Sequence, residues 1–276
     1  MTDPSPDTAT QMLPVIRAAA GEAGALALDH FRHGAKTSAR IWSKHGGSPV
    51  TEADMEVDRF LKERLEAALP EAGWLSEETM DNPARLKRPL VWIVDPIDGT
   101  RAFLGGHPDW SVSIALVLDG RPIAGVVYAP AHDALYEAAR GQGARLAGKA
   151  IFGSTASNLR QARTAGPKPL IDALEARGGG LDRLDKIPSL ALRLARVAEG
   201  AVDVGLVSSN ARDWDLAAAD LILHEAGGHL SDLEGVQPVY NRPEPIHGEL
   251  AAASGRLHPR VIEAMRAPAS AAVSLR

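Results

Sequence analysis

The chain of 276 residues contains no cysteine, so it can build neither a disulfide framework nor a thiolate zinc site, and a reducing compartment suits it. It also lacks any apolar run long enough to cross a bilayer. Its opening, MTDPSPDTATQ, has neither the basic nor the apolar region of a secretory leader, so a cytoplasmic location is expected. Basic residues are not in surplus: 30 Lys and Arg stand against 35 Asp and Glu, a formal net charge of -5. That balance gives no electrostatic ground for a nucleic-acid polymer or an anionic membrane as partner. An anionic substrate must then be met by a local positive feature. No internal repeat or low-complexity segment is present, and only the last nine residues, PASAAVSLR, read as a frayed tail.

What is present is an ordinary globular composition, 45% hydrophobic and 24% charged, at a length that can bury a substantial core in one or two domains. Leu13, Ile16, Ala20, Ala27 and Phe31 recur at near-helical spacing and predict a first amphipathic helix of about three to six turns, weakened by Gly21 and Gly24. Thr51, an acidic first turn and then Val57, Leu61, Leu65 and Leu69 predict a capped helix stopped at Pro70. LVWIVD at 90 to 95 is a continuous apolar and β-branched run, suited to a buried strand. Two further strands joined at Asp119-Gly120, and another at LYEAAR, complete a β-rich first half. From there on, helix-like stretches at 168 to 177, 189 to 199, 213 to 226 and 258 to 267 alternate with apolar runs such as AVDVGLV and LAAAS, an α/β pattern. A boundary between an N-terminal lobe, 1–145, and a C-terminal lobe, 146–276, is expected.

Acids gather at the element boundaries. Asp95 and Asp98 bracket the end of LVWIVDPID, and Gly99-Thr100 suits a turn into a helix whose free amides attract anions. Glu77 and Glu78 follow the short apolar run WLS, and Asp213 and Asp215 open a helix. Hard divalent cations take oxygen ligands, so these three clusters could form a two-metal site facing a phosphate, although any one acid alone is more often a cap or a solvated charge. The aspartyl-phosphate pattern D-x-D-G-T is excluded, because Pro96 stands where its nucleophilic Asp is required. The histidines at 224, 229, 247 and 258 have no metal-ligand spacing and read as solvated or capping residues. GQGARLAG lacks the third glycine of a dinucleotide loop and reads as a turn. The five tryptophans read as packing residues, with Trp110 near enough to the acid loop to line a pocket.

DPIDGT, with LSEE upstream and WDLAAADLILHEAGG downstream, resembles the inositol monophosphatase superfamily of Mg²⁺-dependent, Li⁺-sensitive phosphomonoesterases, over a span from SPVTEAD to EAGG. The resemblance implies a layered α-β-α-β-α sandwich, an α/β fold of homodimeric habit. It also implies two or three Mg²⁺ per subunit, replaceable by Mn²⁺, and an activated water. Residue by residue, it makes Glu77, Asp95 and the Ile97 carbonyl ligands of one metal, and Asp95, Asp98 and Asp215 ligands of a second. Gly99 and Thr100 would cradle the phosphate, Thr100 and Asp54 would orient and deprotonate the water, and Glu78 would support them. The substrate implied is a small phosphorylated metabolite. Similarity is greatest to the bacterial 3'(2'),5'-bisphosphate nucleotidase branch, whose substrate is 3'-phosphoadenosine 5'-phosphate. Inositol-specific members carry an acid where Ser208 stands, which disfavours inositol. Histidinol phosphate and fructose 1,6-bisphosphate remain open, as does a scaffold that kept the fold and lost the chemistry. Arg193, on the SLALRLARVAEG helix, is either the cation for a second substrate phosphate or an exposed helix arginine.

Overall fold

The structure, a computed structural model, describes residues 5–43 and 49–266. The expected tail at 268 to 276 lies outside them, as does Ser48 at the start of SPVTEAD. The chain opens with helix α1 (Ser5–His30), a hairpin of β1 (Ile41–Ser43) and β2 (Pro49–Thr51), and α2 (Glu52–Ala68). Next come β3 (Gly73–Ser76), β4 (Leu90–Asp98) and the short α3 (Thr100–Gly105). A run of strands succeeds them: β5 (Ser111–Leu118), β6 (Arg121–Ala129), β7 (Ala134–Ala139), β8 (Ala144–Leu146) and β9 (Lys149–Ile151). The remainder is β10 (Arg163–Ala165), α4 (Lys168–Gly178), β11 (Asp182–Arg183), α5 (Leu190–Ala198), β12 (Val204–Val207) and β13 (Ala211–Arg212). It closes with α6 (Asp213–Glu225), β14 (Gly228–Asp232), β15 (Ile246–His247), β16 (Leu250–Ser254) and α7 (His258–Arg266).

These elements stack in five layers. β3 to β9 form one seven-stranded sheet in sequence order, and β11-β10-β12-β16-β14 form a second. α1 and α2 cover the outer face of the first sheet through Ile16, Ala23, Val57, Leu61 and Leu65. α5 and α6 lie between the sheets, and α4 and α7 close the far side through Leu170, Leu174, Val261 and Met265. The layered α-β-α-β-α sandwich implied by the resemblance is the observed architecture.

Most predicted elements form, with local differences. α1 starts at Ser5 rather than near Leu13 and runs through Pro14, Gly21 and Gly24, because its alanine stripe Ala19, Ala20, Ala23 and Ala27 is buried and tertiary packing outweighs weak propensity. α2 is closed by Thr51 in a reciprocal capping box: the Thr51 hydroxyl accepts the Asp54 amide and Asp54 accepts the Thr51 amide. The sequence boundary at 145/146 falls within β8, and the first sheet continues to Ile151.

α6 brings the second half of the chain onto the first sheet. Its Ala217, Ala218 and Ala219 are buried, and a Cβ placed on Gly125 of β6 would lie 3.1 Å from the Ala218 backbone, so close approach of helix to sheet depends on that glycine.

Candidate active site

β3 and β4 run parallel, with Ser76 opposite Val94, so the residues that come after them emerge side by side. Glu77 is thereby set next to Asp95, and its amide bonds the Val94 carbonyl at 3.3 Å. β4 itself does not end at Asp95 as the sequence suggests. It pairs with β5 as far as Asp98, through an irregularity in which Asp95 faces Ser113 and Asp98 faces Ser111. Side chains three apart on a regular strand point to opposite faces, and one inserted residue returns Asp98 to the side of Asp95. Pro96, with no amide to offer the ladder, sits in that bulge.

Asp215 arrives from the first turn of α6, where its Oδ2 accepts the Arg212 amide at 2.7 Å. One oxygen each from Asp95, Asp98 and Asp215 then lie within 4.8 Å of one another. Asp213, equally eligible by sequence, points away: two residues along a helix is about 200° of rotation, and its carboxylate meets His247 at 2.7 Å and the Asn241 amide at 2.6 Å. Asp98 is held from behind by α5, its Oδ2 accepting the Ser189 hydroxyl at 2.6 Å and the Ala191 amide at 2.7 Å.

Glu77, Asp95, Asp98, Gly99, Thr100 and Asp215 line one cavity of about 240 Å³. Gly99 is left-handed at φ +91, and a Cβ there would press on Asp109 and Ser189, so only glycine serves. The Thr100 hydroxyl lies 3.4 Å from Asp54 Oδ1 and 3.2 Å from the Ile97 carbonyl. Asp54 is fixed by the Thr51 amide at 2.7 Å and the Thr51 hydroxyl at 2.5 Å. Glu78 comes directly after Glu77 with its amide 3.4 Å from Ser76 Oγ and does not line this cavity.

Burial first, then the neighbouring carboxylates of Glu77, Asp98, Asp215 and Asp54, holds the Asp95 carboxyl well above its ordinary range. Asp215 is raised by burial and by Asp98, and Asp98 is pushed up to about 6 by burial against the pull of its Ser189 and backbone donors. Asp95 Oδ2 is buried with no hydrogen-bond partner. Converging oxygens, mutual repulsion and an orphaned carboxylate oxygen are the donor set that a hard divalent cation satisfies.

A larger cleft of about 650 Å³ adjoins this cavity, sharing Asp98, Asp215 and Lys186 with it. Ser208 is exposed on its wall, and Lys168 and Arg193 also line it. Arg193 is not the exposed helix arginine allowed by the sequence: it is 9% exposed, because Ala191, Leu192, Leu194, Ala195, Val197 and Ala198 bury α5 on nearly every side. Trp110 is likewise corrected, lying fully buried against Phe31 and Phe103 rather than on a pocket wall. His247 and His258 are not solvated; the first pairs with Asp213 and the second lies 3.0 Å from Ser231 Oγ.

Three contributors are not singled out by the sequence. Ser189 had a signal, a serine just before an apolar helical run. Asp58 had one too, falling on the Val57, Leu61, Leu65 stripe of α2, and it accepts the hydroxyls of Ser76 and Thr79 at 2.5 Å beside Glu77. Lys186 had none.

The chain is similar to known proteins over most of its length. The chain is 36% identical over 242 residues to a histidinol-phosphatase of Mycobacterium tuberculosis, covering 83% of this chain and 88% of that one. It is 30% identical over 250 residues to the 3'(2'),5'-bisphosphate nucleotidase CysQ of Aggregatibacter actinomycetemcomitans, covering 87% and 91%. Its fold superposes on the IMPase of Thermotoga maritima with a TM-score of 0.77 at 28% identity, over 94% and 96% of the two chains. The family model for inositol monophosphatases matches residues 8–269, and with these relatives it makes the chain a phosphatase of the metal-dependent inositol monophosphatase family.

Proposed function

We propose that this phosphatase is a Mg²⁺-dependent 3'(2'),5'-bisphosphate nucleotidase acting on 3'-phosphoadenosine 5'-phosphate. The observation that carries the reading is the charge of the larger cleft. Lys168, Lys186 and Arg193 line it, Lys168 paired with Asp172, and among the described lining residues the acids are Asp98 and Asp215 of the metal cluster. An alcohol bearing a second phosphate is attracted to such a wall. A neutral polyol gains nothing from it, and the position of Ser208 offers no carboxylate to grip ring hydroxyls. Histidinol phosphate is favoured by the 36% identity to the mycobacterial enzyme, but its ammonium would face the exposed Lys186 here.

In this proposal Glu77, Asp95 and the Ile97 carbonyl would hold one Mg²⁺, and Asp95, Asp98 and Asp215 would hold another. Bound there, the metals would supply charge neutralisation for the phosphoryl oxygens and an acidified water. The amides of Gly99 and Thr100 cradle the ester phosphate. Thr100 passes its hydroxyl proton toward Asp54 Oδ1, so its oxygen lone pair orients the attacking water and relays that water's proton to the carboxylate. The Thr51 amide and hydroxyl keep Asp54 aimed, and Glu78 supports from behind the cavity wall. Homodimeric assembly, Li⁺ inhibition and a cytoplasmic location belong to the same proposal and rest on family resemblance. Among the described residues, no helix is long and apolar enough to cross a membrane.

A phosphate-release assay with Mg²⁺ across bisphosphate nucleotide, inositol 1-phosphate, histidinol phosphate and fructose 1,6-bisphosphate tests the substrate. The bisphosphate nucleotide is expected to exceed inositol 1-phosphate and histidinol phosphate in kcat/KM by about tenfold or more, the effect of one charge-assisted contact. Preference for histidinol phosphate would replace this reading with the alternative.

A further inference from the structure

The three cations on the larger cleft are in different situations. Arg193 donates to the Ile187 carbonyl at 3.3 and 3.0 Å and to the Leu206 carbonyl at 2.8 Å, which ties the segment before α5 to the end of β12. It acts as a clamp, with its donors turned to backbone. Lys168 is paired with Asp172 at 2.6 Å, an acid that also takes a hydrogen bond from Arg183. Lys186 makes no hydrogen bond or ion pair among the described residues, and it lines both the acid cavity and the larger cleft.

We propose that Lys186 is the specificity-determining cation that meets a second anionic group, phosphate or carboxylate, on the alcohol half of the substrate while the ester phosphate lies at the acid cluster. The proposal rests on the phosphatase reading of the site and deepens the substrate reading by naming the residue that makes the choice. Two features suit Lys186 to this. Its root is fixed, since the next carbonyl, Ile187, is held by Arg193 and the adjoining Pro188 restricts the backbone. The residue is exposed and its ammonium sits on a flexible four-carbon stem, so it can reach across the junction of the two cavities. Neither Lys168, neutralised by Asp172, nor the buried Arg193 can track a ligand in that way.

The test compares full-length wild type, Lys186→Ala and Lys186→Glu in Mg²⁺ on three compounds that differ in the charge of the alcohol. They are 3'-phosphoadenosine 5'-phosphate with a second phosphate, inositol 1-phosphate with none, and histidinol phosphate with an ammonium. The readout is KM, or a calorimetric Kd for a compound that is not turned over. Lys186→Ala should raise the value for the bisphosphate about tenfold more than that for inositol 1-phosphate. Lys186→Glu should widen that gap and lower the value for histidinol phosphate. Added salt should erode the wild-type preference more than that of the variants. An equal rise for all three compounds would place the ammonium on the ester phosphate instead, and no change in any would make it a solvated surface lysine; either result overturns the proposal. If wild type prefers another substrate yet the variants still sort the compounds by charge, the substrate reading fails and the role of Lys186 stands. Thermal unfolding of both variants checks that the fold is kept.

Discussion

Asp220 lies on α6 one and a half turns beyond Asp215, and its carboxyl accepts the Tyr240 hydroxyl at 2.8 Å. Burial pushes it up to about 6, against the opposing pull of Tyr240, His224, Arg121 and His247. A carboxyl that binds its proton more tightly folded than unfolded makes stability fall as pH rises from about 4 to about 6, then stay level. His258 works the other way: burial, then His229, lowers it to about 4, so its contribution is present above its unfolded value and lost as pH falls toward 4. The wild-type curve sums these two with the other shifted groups, Asp95, Asp98 and Asp215 among them, and a variant isolates one contribution. Asp220→Asn keeps an acceptor for Tyr240 and removes the buried charge, so it should raise unfolding free energy by about 1–3 kcal/mol at pH 8 and by almost nothing at pH 4. Urea unfolding at both pH values checks this, and an equal change at both would assign the effect to packing. None of this was legible in DLAAADLILHE, where Asp220 reads as one more helix acid.

At the scale of elements, the acid site depends on how strands and helices end. The parallel pairing of β3 with β4 and the bulge at 95 to 98 bring Glu77, Asp95 and Asp98 to one side, and the N-terminus of α5 grips Asp98. Ser189 does two things there: its hydroxyl donates to Asp98 and accepts the Leu192 amide at 3.0 Å as the N-cap of α5. Ser189→Ala should therefore cost about 1 kcal/mol of stability through the lost cap. It should also weaken Mg²⁺ binding, as loss of an outer partner of a ligand does by roughly 10–100-fold. Calorimetric titration reads the second effect; an unchanged Mg²⁺ affinity with lowered stability would reduce Ser189 to a cap. The sequence predicted the strand and the helix, because a continuous apolar β-branched run and a helical apolar spacing both report burial. It did not reveal the bulge, whose signal is a single proline, nor that α5 would be enclosed on all sides and carry Arg193 inward.

At the scale of the molecule, the cluster is assembled from both halves of the chain and held under repulsion. Glu77, Asp95 and Asp98 come from the first sheet and Asp215 from a helix packed across it, so cations that bind there bind the folded state alone. Mg²⁺ at about a hundred times its Kd should add about 2.7 kcal/mol and raise the Tm of the metal-stripped protein by several degrees. Asp95→Asn keeps the volume and removes the central charge. It should unfold at a higher temperature than wild type without metal, show a much smaller Mg²⁺-induced rise, and lose turnover by on the order of a hundredfold or more. Differential scanning fluorimetry with and without Mg²⁺ checks the first two, and wild-type turnover in that variant would dismantle the two-metal assignment.

The sequence alone determined most of the elements and the identity of the acids, because helix and strand patterns, caps and the DPIDGT and WDLAAAD motifs are local; the alternation of layers was implied by the family resemblance and not by those patterns. The exclusion of a covalent aspartyl-phosphate route is of the same kind, resting on Pro96. The resemblance named the acids that meet, and tertiary structure supplied the physical reason. Asp213 and Asp215 are equivalent in composition and separated only by helical rotation, while Glu77 and Asp95 become neighbours through a parallel pairing 18 residues apart in the chain. Tertiary structure alone decided the roles of the cations. Arg193 reads as either a substrate-phosphate cation or a surface arginine and Lys186 as nothing in particular, yet one is enclosed by the packing of α5 between two sheets and the other has no ion-pair partner among the described residues where two cavities join. Charge and reach depend on what surrounds a side chain, and those surroundings come from residues distant in sequence.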